Sequence, residues 1–319
     1  MTRAEKGATA WRPRLAYLAD RITVLFMGVG VGAAITLAFA GDGSIRLDGV
    51  SRRAAERPAP IPAKAAPATP PAIDCAYPFP PRLLERLASG QPVTVGVFGD
   101  SFGDGVWAAL YHKLGKANVR VLRLSEEGVG FTRYQSNNLE AKAADQLKAE
   151  PVDVAVIVIG ANDTEGLFDD KHQHAYAMMS PGWKVVYGAR IGRFVSLIRR
   201  QGAMVYWVGL PKMRQERYDQ DVASLDDFYA ATMAGLGVPF LSTRSLSADD
   251  EGRFNPYLTD LTSRKPRLMR ANDGVHMTMA GYERLAGPLI DRIKAYIARA
   301  ADQTTGEGTI VPVGAGRAS

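Results

Sequence analysis

One cysteine in 319 residues, Cys75, excludes an internal disulfide framework and any zinc site built on paired cysteines. Histidine is nearly as scarce, with His112, His172, His174 and His276 the only four. No internal repeat appears, and no block of like charge stands out. The formal net charge of +6 is spread along the chain, and several of its cations sit at the extreme N-terminus. That distribution, without an aromatic RNA-binding signature, argues against a nucleic-acid partner. Hydrophobic residues at 46% against charged residues at 23% leave enough apolar side chain for a substantial core.

One long uncharged run is present, Ile22 to Ala40, preceded by Arg3, Lys6, Arg12, Arg14 and Arg21. A bilayer core takes about 20 apolar residues in helical form, and cationic flanks stay on the cytoplasmic side. Residues 22–41 are therefore expected to be a transmembrane anchor, with the basic residues 1–21 in the cytoplasm and the rest of the chain in the periplasm. The competing expectation is a signal peptide cleaved after Ala38-Phe39-Ala40. The apolar run exceeds the roughly 7–15 residues of a signal-peptide core, which favours the anchor. Residues 42–74 follow as a linker whose stretch 51–72 is dominated by proline and alanine and has no apolar face to bury. Cys75 lies too far downstream of the apolar run to be a lipid attachment site. Residues 301–319 have no pattern and are expected to be a disordered tail, which leaves 75–300 as one domain.

Within that domain short β-branched runs alternate with helical patterns. Strands are expected at 93–98, 119–124, 152–160, 203–211 and 238–241, and helices at 101–115, 139–150, 184–201, 221–236 and 278–299. Such alternation predicts an α/β fold, three-layer αβα with a parallel sheet covered on both faces. In a flavodoxin-like strand order the functional crevice opens beyond the C-terminal ends of the first and third strands. The loops Gly99-Asp100-Ser101 and Gly160-Ala161-Asn162-Asp163 fall there.

Each of these loops has an ordinary structural explanation and a chemical one. Ser101 after a strand fits a helix N-cap region, yet it also sits where free backbone N–H groups gather. Asn162 fits a turn, yet its amide can donate to an oxyanion. Asp273 and His276, three apart before the last helix, allow the carboxylate to hold one ring nitrogen while the other meets a serine. The loop 124–133 after the second strand offers Gly130, or else Gly128, as a further backbone donor. Asp169, Asp170, His172 and His174 read as a solvated loop, so no metal and no cofactor is expected. Trp183, Tyr187, Arg190 and Arg214 are compatible with lining a pocket and equally with packing and salt bridging.

In order along the chain, GDS at 99–101, a glycine after the second strand, GAND at 160–163 and DGVH at 273–276 resemble the SGNH (GDSL-type) hydrolase superfamily. WKVVYGARI (183–191), WVGLPKMR (207–214) and LMRANDGVHMTMAGY (268–282) are similar to an exported bacterial branch whose substrates are mostly unassigned. The resemblance implies Ser101 as nucleophile, His276 as general base and then acid, and Asp273 as its orienting carboxylate. It implies an oxyanion hole of the Ser101 and Gly130 backbone N–H groups with the Asn162 side chain. Asp100 reads as a brace for the loop, and Phe102, where the superfamily commonly has leucine, is expected in the core.

The function that follows is hydrolysis of acyl esters, acetyl foremost, on a cell-envelope glycan or another small ester. An O-acyltransferase using the same site and an inactive envelope-binding module are the alternatives.

Overall fold

The computed structural model describes residues 77–305 apart from 116 and 135–136. The expected anchor, the whole of the expected linker and the last fourteen residues lie outside the described residues. Among the described residues no helix is long and apolar enough to cross a membrane.

In chain order the main elements are α1 (Pro81–Ala88), β1 (Val93–Gly99), α2 (Ser101–Leu114), β2 (Val119–Arg123), α3 (Leu139–Ala149) and β3 (Val154–Val158). A two-residue ladder, β4 (Leu167–Phe168) with β5 (Ala175–Tyr176), precedes α4 (Pro181–Arg200). Then come β6 (Met204–Val208), α5 (Glu216–Leu236), β7 (Phe240–Leu241), the hairpin β8 (Tyr257–Thr259) with β9 (Pro266–Leu268), and α6 (Met279–Thr305).

The main sheet has the order β2-β1-β3-β6-β7 with every pairing parallel. Alternation of side chains along each central strand divides the core into two faces. Val95 and Val97 of β1, Val154, Val156 and Val158 of β3, and Tyr206 of β6 pack with α1, α2 and α6 through Leu83, Val106, Leu110, Leu289 and Ile293. Phe98, Ala155, Ile157, Val205 and Trp207 point the other way, into α3, α4 and most of α5. This is the three-layer arrangement expected from the alternating pattern, with the reversal of strand order between β1 and β3.

The differences from the expected elements have local causes. α4 starts at Pro181 rather than 184 because Ser180 caps it and proline suits the first helical position. α5 starts at Glu216 rather than 221 because the Gln215 side chain accepts the N–H of Tyr218. The closing helix runs to Thr305, past the point where the tail was expected to begin. ADQTT contains no helix breaker, so the helical pattern continues through it. α1, a helix not expected from the sequence pattern, is pinned by Arg82 and Arg86 on the buried carboxylate of Asp153.

Candidate active site

β1 ends at Gly99, whose φ of +148° and whose closeness to the backbone of Val158 leave no room for a side chain. The chain turns sharply there into α2. Asp100 caps the helix by accepting the N–H of Phe102 at 2.9 Å. The other oxygen of Asp100 accepts the N–H groups of Gly160 and Ala161, at 3.0 and 3.1 Å, in the loop after β3. Burial pushes this carboxyl up to about 6, against the pull of those three N–H groups, and nearby Asp163 adds to the rise. Asp100 therefore ties two loops together, as expected of a brace.

Ser101 is the first residue of α2, and its Oγ lies 2.7 Å from Nε2 of His276. The other ring nitrogen, Nδ1, is 2.6 Å from Oδ2 of Asp273. Oδ1 of Asp273 accepts the backbone N–H groups of Val275 and His276 at 2.8 and 2.9 Å. Burial pushes the Asp273 carboxyl up, but the imidazole and the two N–H groups outweigh it and hold it at about 2. The side chains of His276 and Asp273 remain 38% and 47% exposed, so the dyad faces solvent at the rim of the sheet. Phe102 is buried as expected and also stacks on the imidazole, with ring centroids 5.3 Å apart and planes 23° from parallel.

The loop that carries Asp273 and His276 is clamped from both sides. Ala271 N–H donates to the His276 carbonyl, closing the loop on itself at 2.9 Å. Buried Arg270 donates through Nη2 to the carbonyls of Gly274 and Val275. Arg214 donates its backbone N–H to Gly274 and its Nη1 to Asn272. Arg214 thus supports the histidine loop, a role that sequence spacing does not show because the two segments lie some sixty residues apart.

The third side of the site is a joint between the loops after β2 and β3. Asn162 Nδ2 donates to the Val129 carbonyl at 2.9 Å, which engages one of its two N–H bonds. Asp163 is buried and accepts the N–H groups of Phe131 and Thr132, the Thr132 hydroxyl and the Tyr187 hydroxyl. Tyr187 meets Tyr229 in turn, oxygen to oxygen at 2.6 Å. Burial raises the pKa of Asp163, and those donors pull against it. Gly130 is buried against this carboxylate, and a Cβ there would come within 2.3 Å of Oδ1. Gly128 is exposed with φ +75° and open space around it.

Of the other residues singled out in the sequence, Trp183, Tyr187 and Arg190 are buried structural parts. Trp183 donates to the Glu165 carbonyl, and Arg190 to the carbonyls of Phe131 and Phe168. In the DDKHQH stretch His174 pairs with Asp169 at 3.1 Å, while Asp170 is held by Arg190 and Arg193.

The family described as "Protein of unknown function (DUF459)" matches residues 94–292, which covers all the elements from β1 to the middle of α6. No curated protein matches. Among solved structures, similarity is found to a GDSL-like lipase from Bacteroides thetaiotaomicron, 18% identical with a TM-score of 0.45, over 71% of this chain and 94% of that one. It is found to the periplasmic domain of a lipopolysaccharide acetyltransferase from Salmonella ser. Paratyphi A, 10% identical with a TM-score of 0.47, over 66% and 86%. It also extends to an acetyl xylan esterase, 14% identical with a TM-score of 0.43, over 64% and 98%.

Proposed function

The chain belongs to the DUF459 family, and we propose that it is a serine esterase that removes small acyl groups, acetyl foremost, from a cell-envelope glycan through an acyl-enzyme. One observation carries this reading: Oγ of Ser101, the imidazole of His276 and the carboxylate of Asp273 form an unbroken hydrogen-bonded row.

In that row Nε2 takes the proton of Ser101 as Oγ bonds to the ester carbonyl carbon. Asp273, anionic because its carboxyl is held near 2, stabilises the imidazolium that results. The negative charge passes to the former carbonyl oxygen. It is met by the backbone N–H groups of Ser101 and Gly130 and by the remaining N–H of Asn162. Collapse breaks the ester C–O bond, and the imidazolium protonates the departing alkoxide. Water, deprotonated by the same imidazole, then attacks the acyl-serine and releases the acid. The proposed setting is the periplasm, with residues 22–41 as a single-pass anchor in the inner membrane.

An active-site-directed fluorophosphonate is expected to label the wild type and to leave Ser101→Ala unlabelled. Ester turnover in that variant is expected to fall by about 10³-fold or more. Equal labelling of both proteins would remove Ser101 from the mechanism. A panel of esters of increasing acyl length then reads the preferred acyl group. Supplying a glycan acceptor separates release of acetate to water from transfer to a sugar hydroxyl.

A further inference from the structure

Exposed apolar side chains are unevenly distributed on this surface. Seven large ones are exposed among the described residues, and four of them, Tyr257, Leu261, Leu268 and Met279, lie within one short span of chain. That span is the β8–β9 hairpin together with the first residue of α6. Tyr257 and Leu268 are register partners, so their side chains stand next to each other on one face of the ladder. The Leu268 carbonyl accepts the Thr278 hydroxyl, which brings the start of α6 against the same edge. The hairpin is not a detached loop. Leu258 is buried in the core, and Arg284 donates to the Thr259 carbonyl at 2.8 Å. Tyr257 is nevertheless 56% exposed and Leu261 63% exposed, so a well-anchored element presents apolar groups to water.

The turn between the two strands supplies charge of one sign. The hairpin, residues 257–268, carries three cations against one acid, Asp260. Asp260 is consumed locally: it accepts the N–H groups of Thr262 and Ser263 and pairs with Arg267, and its carboxyl is held at about 2. Arg264 and Lys265 are exposed and make no ion pair among the described residues. Aliphatic and aromatic groups beside unpaired cations, with no free acid, match an interfacial contact with anionic lipid.

We propose that the β8–β9 hairpin docks on an anionic bilayer, with Tyr257, Leu261 and Leu268 entering the headgroup boundary and Arg264 and Lys265 meeting lipid phosphates. β9 leads directly into Arg270 and the loop that carries Asp273 and His276. Docking therefore holds the serine site at the lipid–water interface and favours esters presented there. The inference rests on the proposed anchor only for keeping a bilayer close by. If extended at ~3.1 Å per residue, the 33 residues expected to form the linker would span up to ~100 Å, more than twice the diameter of a domain this size, which leaves the choice of docking face to surface chemistry.

The test uses the full chain in a Cys75→Ser background, with a polarity-sensitive dye at Leu261→Cys and, separately, at exposed Ser196→Cys on α4 in the opposite layer. Vesicles containing phosphatidylglycerol are expected to blue-shift the dye at 261 and to leave the dye at 196 unchanged. Phosphatidylcholine vesicles, or the pair Arg264→Glu and Lys265→Glu, are expected to weaken the response at 261 about tenfold or more. Absence of a lipid response at 261, or an equal response at 196, overturns the proposal. A shift that needs protein concentration and not vesicles also overturns it, in favour of a second copy of the chain. Flotation of the same protein with vesicles at high salt reads the anchor separately, so the two readings fail independently.

Discussion

His276 is constrained on three sides, by Ser101 at Nε2, by Asp273 at Nδ1 and by the ring of Phe102 against its face. The carboxylate fixes which nitrogen keeps its proton, so the lone pair of Nε2 is available to the serine hydroxyl. An amide at position 273 can present its N–H bonds to Nδ1 and hold the opposite tautomer. Asp273→Asn is therefore expected to lower kcat by about 10³–10⁴-fold while the melting temperature changes little, because the residue is half exposed. Unchanged kcat in a folded Asp273→Asn protein would show that the carboxylate is a bystander. Because the Asp273 pKa is depressed, whatever stability it contributes is present above the ordinary carboxylate pKa and is lost as pH falls from there through about 2. Loss of activity on mild acidification must then come from another group. That Ser101, His276 and Asp273 fall into one hydrogen-bonded row was foreshadowed in the sequence by the order of GDS after the first predicted strand and DGVH before the last predicted helix. The stacking of Phe102 was not, since an apolar residue near a helix start looks the same whether it meets an imidazole or a leucine.

The loops beyond the strand ends form one cross-linked unit. Asp100 joins the β1 loop to the β3 loop, and Asp163 and Asn162 join the β3 loop to the β2 loop. Strands showed in the sequence as short β-branched apolar runs and helices through their period of 3.6, with boundaries a few residues off where a cap lay outside the apolar pattern. Cross-links of this kind carry no period. The partners of Asp163 stand 31 and 32 residues upstream and 24 downstream, so its part in the site was read only as one letter of a motif. The choice between Gly130 and Gly128 stayed open for the same reason, and the joint now yields a test. Gly130→Ala drives a Cβ into the Asp163 carboxylate. It is expected to cost about 1–3 kcal/mol of stability and about 10²-fold or more in kcat. Gly128→Ala meets no atom and pays only the left-handed backbone strain of roughly 1–2 kcal/mol, with kcat held within a few-fold. Urea unfolding together with ester turnover reads both variants, and the opposite ranking in kcat moves the oxyanion donor to Gly128.

At the scale of the whole molecule, the αβα architecture follows from β1 and β3, whose uninterrupted burial needs helices on both faces. The two small ladders, β4–β5 and β8–β9, were not legible, because their two or three residues sit in polar, mostly exposed stretches without the apolar run that marks even the two-residue β7. The three-layer packing also leaves acids inside. Asp226 of α5 accepts the Leu210 N–H just beyond β6 at 2.8 Å, and burial pushes its carboxyl up to about 7, in the same direction as Asp100. For both groups the folded state keeps a proton that the unfolded chain gives up near its ordinary pKa of about 4. Between about pH 4 and pH 7 the folded state therefore binds more protons, so stability falls as pH rises through that window and levels off above it. Asp226→Asn keeps an acceptor for Leu210 and removes the ionisation. It is expected to flatten the decline and to add on the order of 2–4 kcal/mol at pH 8, less the cost of burying an unpaired amide NH₂. Urea unfolding of both proteins at pH 4.5 and pH 8 measures this. A wild type that gains stability between those two values, or an Asp226→Asn protein whose decline runs parallel to the wild type, would mean that the carboxyl of Asp226 is already ionised without penalty in the folded core.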